Sequence, residues 1–157
     1  MIDALIRQNR PAEILLIDDN GGDVILTRKA FCGGKVANTI TSASTGEEAL
    51  AILEERGGNT QPPFPDLILM DLNLPCMHGT EILHAIKSDK KLRHIPVVIL
   101  TSSRAEEDVA KTYEMHANSY VVKPLDLEKF KEIAAAIEGF WFSAAVMPDE
   151  HSVRQKW

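Results

Sequence analysis

The chain has 157 residues, a formal net charge of −6 and an ordinary charged fraction of 25%. That length suits one domain with a full core needing no disulfide or metal to hold it, and the negative charge argues against sequence-independent binding of DNA or RNA. Cys32 and Cys76 form no CxxC or zinc pattern, the start Met1-Ile2-Asp3-Ala4-Leu5 is no signal peptide, and no apolar run approaches the roughly 20 residues that cross a membrane, so the expectation is a soluble, reduced, cytoplasmic protein.

Residues 1–12 read as a lead-in that stops at Asn9-Arg10-Pro11. Ile14-Leu15-Leu16-Ile17 then has buried-strand character and ends on Asp18-Asp19. Asn20-Gly21-Gly22-Asp23 opens a helix carrying Val24, Leu26, Ala30 and Phe31, which stops at Gly33-Gly34. From Val36 to Ser42 β-branched and polar residues alternate, as in a short strand exposed on one side or at an edge. Thr45 followed by Glu48 is a helix-start signature leading into Ala49-Leu50-Ala51-Ile52-Leu53 and closing at Gly57-Gly58. The prolines of Pro62-Pro63-Phe64-Pro65 exclude regular structure before the next strand, Leu67-Ile68-Leu69-Met70, which ends on Asp71. After Pro75 and Gly79 comes an amphipathic helix with Ile82, Leu83 and Ile86 on its buried side. Val97 to Leu100 is a strand ending on Thr101, Arg104 to Ala117 a charged helix, and Tyr120-Val121-Val122 a strand ending on Lys123-Pro124. A long last helix starts at Leu125-Asp126-Leu127.

Five βα units in that order imply an α/β fold: a doubly wound, five-stranded parallel sheet of order 2-1-3-4-5, flavodoxin-like, with helices on both faces. The polar residues that close the apolar runs then line one edge of the sheet, where the first and third strands are neighbours about 4.8 Å apart. Asp18, Asp19 and Asp71 must share one small volume, and left alone they would repel one another. Two remedies fit: a hard divalent cation, Mg²⁺ rather than Ca²⁺ because so few carboxylates leave positions for water and a phosphoryl oxygen, and the ammonium group of Lys123. A carboxylate between the two is a nucleophile prepared for phosphoryl transfer, and Thr101 could hydrogen-bond the new phosphoryl group. Singly, Asp18-Asp19 or Thr101-Ser102-Ser103 could be no more than helix caps and Lys123 a surface cation; the combination at successive strand ends carries the reading.

The pieces ILLIDD (14–19), LILMDLNLP (67–75), Gly79, VVILTSS (97–103) and YVVKP (120–124) resemble the receiver domain of two-component response regulators. The resemblance spans residues 13–142, leaving 1–12 as the lead-in and 143–157 as a C-terminal tail. It implies that Asp71 is the phosphoacceptor, Asp19 the direct Mg²⁺ ligand, Asp18 an acid acting mainly through water, and Asn73 the donor of a backbone carbonyl to the ion. Thr101 and Lys123 are similar to the pair that contacts the phosphoryl group, and Tyr120 to the aromatic switch that turns inward on activation. DDNGGDV, LTSSRAEEDV, YEMHANSYVVKP and the closing EGFWF look like the small stand-alone regulators serving cyanobacterial phytochrome kinases. A sensor histidine kinase of phytochrome type is the implied partner, in a light-signalling phosphorelay with output through a change of surface. The departures His78, Cys76 and Gly21 bear on partner choice rather than on phosphorylation.

Such a chain is a switch that assists its own phosphorylation and dephosphorylation rather than an enzyme. The competing reading, an aspartate-nucleophile phosphohydrolase, needs an acid two residues after the nucleophile, where this chain has Asn73. A flavin-binding flavodoxin would need a Ser/Thr/Gly-rich phosphate loop where Asp18 and Asp19 stand. Phe130, Ile133, Ala134 and Ile137 suffice to pack the last helix, so Phe140, Trp141 and Phe142 are surplus and suggest a homodimer built on that helix and its neighbours.

Overall fold

The computed structural model describes residues 11–34, 36–56, 64–102 and 106–144, with main chain only at 106–108, 110 and 142–144. Strands Ala12–Ile17 (β1), Asn38–Ala43 (β2), Leu67–Met70 (β3), Val97–Thr101 (β4) and Ser119–Val122 (β5) pair in parallel in the order β2-β1-β3-β4-β5, as the alternation of patterns predicts. Helices Gly21–Cys32 (α1), Gly46–Arg56 (α2), Gly79–Ser88 (α3), Glu106–Glu114 (α4) and Leu127–Ile137 (α5) connect and follow them. The end residues 1–10 and 145–157 lie outside the described residues.

β1, β3 and β4 are buried along their whole length because the sheet is covered on both faces, which explains apolar runs without alternation. Leu15, Ile17, Ile68 and Met70 pack with α2 and α3, whereas Ile14, Leu16, Leu67 and Leu69 pack with α1 and α5. At the edge, β2 is half-exposed and runs from Asn38 to Ala43, one to two residues later than its composition suggests.

The helix termini follow local chemistry. Asn20 caps α1 by accepting the N–H of Asp23. At α2 the Thr45 hydroxyl accepts the N–H of Glu48, while the Glu48 carboxylate reaches back to the N–H and hydroxyl of Ser44, one residue earlier than a simple reciprocal box. His78 caps α3, its Nδ1 accepting the N–H of Thr80. The predicted helix from Arg104 to Ala117 is shorter: it ends at Glu114, and its start at 104 lies outside the described residues. His116 adopts φ 69°, and the N–H groups of His116 and Ala117 turn back to the carbonyls of Tyr113 and Thr112, which closes the helix as a left-handed cap.

The last helix also departs from its expected form. α5 passes into a π-helical segment, Glu138–Ala144, whose wider turn changes the direction of successive side chains. Trp141 is partly buried against the core shared by α1 and α5, and Phe140 stands 56% exposed with its ring edge-on to Trp141. The Phe142 side chain lies outside the described residues.

Candidate functional site

The register of the sheet assembles the site. Ile17 of β1 lies opposite Met70 of β3, and the N–H of Asp71 donates to the carbonyl of Ile17, so Asp18 and Asp71 emerge side by side. Thr101 ends β4 and is fully buried, and its carbonyl accepts the N–H of Lys123 just beyond β5. Gly79 closes the opposite wall: a Cβ there would stand 2.7 Å from both the Asp71 carbonyl oxygen and the Leu72 Cα, a separation real side chains do not show.

Around Asp71 the polar contacts converge. The Thr101 hydroxyl donates to Oδ1 at 2.6 Å, the N–H of Asn73 donates to the same oxygen at 3.3 Å, and Lys123 Nζ donates to Oδ2 at 2.8 Å. Lys123 Nζ also stands 2.8 Å from Oδ2 of Asp18 and 2.8 Å from Oδ2 of Asp23. Each of its three ammonium hydrogens therefore has one carboxylate. Its side chain is only 8% exposed, so these contacts operate in a medium that screens them poorly.

The protonation tendencies follow from one cation facing several acids. Burial raises the Asp18 carboxyl above its ordinary value, against the hydrogen bonds from Lys123 and from the N–H of Asn20. Burial alone would lower Lys123, but its hydrogen bonds to Asp18, Asp23 and Asp71 outweigh that and hold the ammonium above its ordinary value. Lys123 thus stays charged, and the acids around it remain short of positive charge.

Carboxylate oxygens of Asp18, Asp19 and Asp71 all lie within 4.8 Å of one another, Asp19 from an exposed position. Such a set of hard oxygen donors fits a divalent cation. Residues 14–135 match the sequence model of the response regulator receiver domain. The chain belongs to that family. It is 36% identical over 140 residues to the response regulator Rcp1 of Synechocystis sp., covering 89% of this chain and 95% of Rcp1. Among solved structures it resembles the phosphorylated cyanobacterial phytochrome response regulator RcpA, with a TM-score of 0.82 and 38% identity over 89% of this chain and all of RcpA's (100%). The Mn²⁺-bound form of Rcp1 matches at a TM-score of 0.79 and 36% identity, over 88% of this chain and 100% of that one.

The remaining sequence-derived candidates of this receiver domain fall around that centre. Asn73 is exposed, beside Asp71 in the loop after β3. Tyr120 is half-buried against the core on the α2 and α3 side, opposite Ile99 and two residues short of Val122, the partner of Thr101. Its N–H donates to the Tyr113 hydroxyl at 3.1 Å. Asp23 is the site residue that sequence reasoning assigned only to a helix start. Its reach to Lys123, a hundred residues away, is set by the packing of the first turn of α1 over the sheet edge, and nothing local in DDNGGDV announces it.

Proposed function

We propose that this receiver domain is a phosphoacceptor switch in which Asp71 takes a phosphoryl group from a phosphohistidine of a sensor histidine kinase. The observation that carries the reading is the buried Asp71 carboxylate held between the Thr101 hydroxyl and the Lys123 ammonium at the mouth of the sheet. An Asp71 oxygen attacks phosphorus, the new P–O bond forms as the P–N bond breaks, and the electron pair leaves with the imidazole nitrogen of the donor. Lys123 neutralises charge on the transferring group, and the Thr101 hydroxyl turns from Asp71 to a phosphoryl oxygen. Asp18, Asp19, Asp71 and the backbone carbonyl of Asn73 would hold Mg²⁺, which when bound supplies further charge neutralisation.

Movement of Thr101 frees space beside β5 into which Tyr120 turns, and the surface around α4, β5 and α5 changes. The likeness to Rcp1 and RcpA supports a kinase of phytochrome type as donor, in the cytoplasm, and a role as switch rather than enzyme. The more than half-exposed Phe140 supports a homodimer through the last helix and its neighbours. Sedimentation with and without a small phosphodonor checks this pairing, and a monomer in both conditions at high micromolar concentration rules it out.

Transfer of radiolabel from a phosphorylated phytochrome kinase tests the main reading. Label should pass to the wild type in the presence of Mg²⁺ and not to Asp71→Asn; equal labelling of the two proteins would refute the assignment.

A further inference from the structure

The contact between Lys123 and Asp23 is not explained by the phosphoacceptor chemistry. Asp23 sits in the first turn of α1, where its own N–H is already satisfied by Asn20 and its carboxylate faces the helix N-terminus favourably. A first-turn acid needs nothing more. Yet Oδ2 lies 2.8 Å from Lys123 Nζ, as close as the oxygens of Asp18 and Asp71, from a side chain only 27% exposed.

The three carboxylates on Lys123 differ in what else they can do. Asp18 and Asp71 belong to the oxygen set that fits a divalent cation, and Asp23 does not. A phosphoryl group on Asp71 brings new anionic oxygens to an ammonium whose three hydrogens are all engaged. One existing contact has to yield. Asp18 and Asp71 stay tied to the site by the cation they can bind, whereas Asp23 is tied to it, among the described residues, by Lys123 alone, so its contact is the one set against the phosphoryl oxygens.

We infer that Asp23 is a positioning residue that competes with the phosphoryl group for Lys123, restraining phosphorylation and coupling it to the first turn of α1. The inference rests on the phosphoacceptor reading of Asp71. In the resting protein Asp23 holds the ammonium toward α1. When the phosphoryl group arrives, Lys123 swings to it, the Lys123–Asp23 pair opens, and Asp23 is left as an uncompensated anion beside a more negative site. Its charge thus works against the phosphorylated state. Removing that charge while keeping the shape makes the site more receptive.

Affinity for beryllofluoride, an anionic phosphoryl mimic, in the presence of Mg²⁺ tests this on the intact chain, with the Asp23 and Gly22 amide resonances followed in the same titration. Asp23→Asn and Asp23→Ala should each bind the mimic about three- to tenfold more tightly than the wild type at low salt, and the gain should shrink as ionic strength rises because it is electrostatic. Asp23→Glu, which restores the charge, should return affinity toward the wild-type value. In the wild type the Asp23 and Gly22 amides should shift on binding. Unchanged or weaker affinity in both neutral variants would overturn the competition, leaving Asp23 a helix-start residue. A wild type that binds no mimic, or an Asp71→Asn variant that binds it as well as the wild type does, would overturn the phosphoacceptor reading itself and this inference with it, whereas a failure confined to the Asp23 variants would overturn the competition alone.

Discussion

The Thr101 hydroxyl donates to Oδ1 of Asp71 at 2.6 Å from a wholly buried position, so the end of β4 is tied directly to the end of β3. The same hydroxyl is the group expected to follow a phosphoryl oxygen. Thr101→Val keeps the shape and deletes the bond, and because the acceptor is a buried carboxylate the loss should be roughly 1.5–3 kcal/mol. Asp71 should still accept a phosphoryl group in this variant, while the ring signals of Tyr120, which should shift with beryllofluoride in the wild type, stay in place. A normal Tyr120 response in Thr101→Val would separate the two residues.

Lys123 is the one cation shared by Asp18, Asp23 and Asp71 among the described residues, and its replacement should expose their repulsion in full. Lys123→Met is expected to lower stability in metal-free buffer by about 3 kcal/mol, the scale of a broken buried ion pair. Mg²⁺ should restore much of that loss and bind more tightly than in the wild type, since no ammonium competes for Asp18 and Asp71. Urea unfolding with and without Mg²⁺ reads both effects, and a weaker Mg²⁺ response in the variant would contradict the shared use of these carboxylates.

Asp19 and Asp18 should contribute unequally to metal binding. Both oxygens of Asp18 are engaged, Oδ1 by the N–H of Asn20 and Oδ2 by Lys123, whereas Asp19 is exposed. Asp19→Asn should therefore weaken Mg²⁺ binding more than Asp18→Asn does. Calorimetric titration of the two variants decides the order, and equal affinities would remove it.

Stability should rise with pH in an alkaline window because of Lys87. Its Nζ donates to the carbonyls of Arg93 and Ile95, and burial lowers the ammonium from 10.5 to about 8. Between those two values the unfolded chain holds a proton that the folded chain has released, so unfolding becomes less favourable as pH rises through the window. The difference in unfolding free energy between wild type and Lys87→Met should climb from pH 8 toward 10.5 and level off beyond. A difference that stays flat would remove the assignment.

His116 offers a gain. It occupies a left-handed position, φ 69°, that closes α4, and glycine removes the steric cost of about 1 kcal/mol at the expense of some unfolded-state entropy. His116→Gly should raise stability by roughly 0.5–1 kcal/mol, read as a higher thermal midpoint. A lower midpoint would show that the imidazole contributes more than its backbone costs.

Much of this was legible in the chain because buried parallel strands write themselves as continuous apolar runs. Those runs ended on Asp18, Asp71, Thr101 and Lys123, and parallel pairing obliges such ends to meet. What local pattern could not supply were the features fixed by three-dimensional packing. Asp23 looks like any first-turn acid until α1 is laid over the sheet edge. The end of α4 depends on a histidine adopting a conformation more usual for glycine, so the pattern carries the helix on to Ala117. The π-helical form of the turn after Ile137 was likewise not legible, although the inward Trp141 and outward Phe140 follow the spacing of Phe130, Ala134 and Ile137.

The acyl phosphate should form on Asp71 and on no other acid of the cluster. Borohydride reduction of the phosphorylated protein converts an aspartyl phosphate to homoserine, and tandem mass spectrometry of the resulting peptides locates it. Homoserine at position 71 alone is the predicted result. Reduction at Asp18, Asp19 or Asp23, or label without any reduced aspartate, would contradict it.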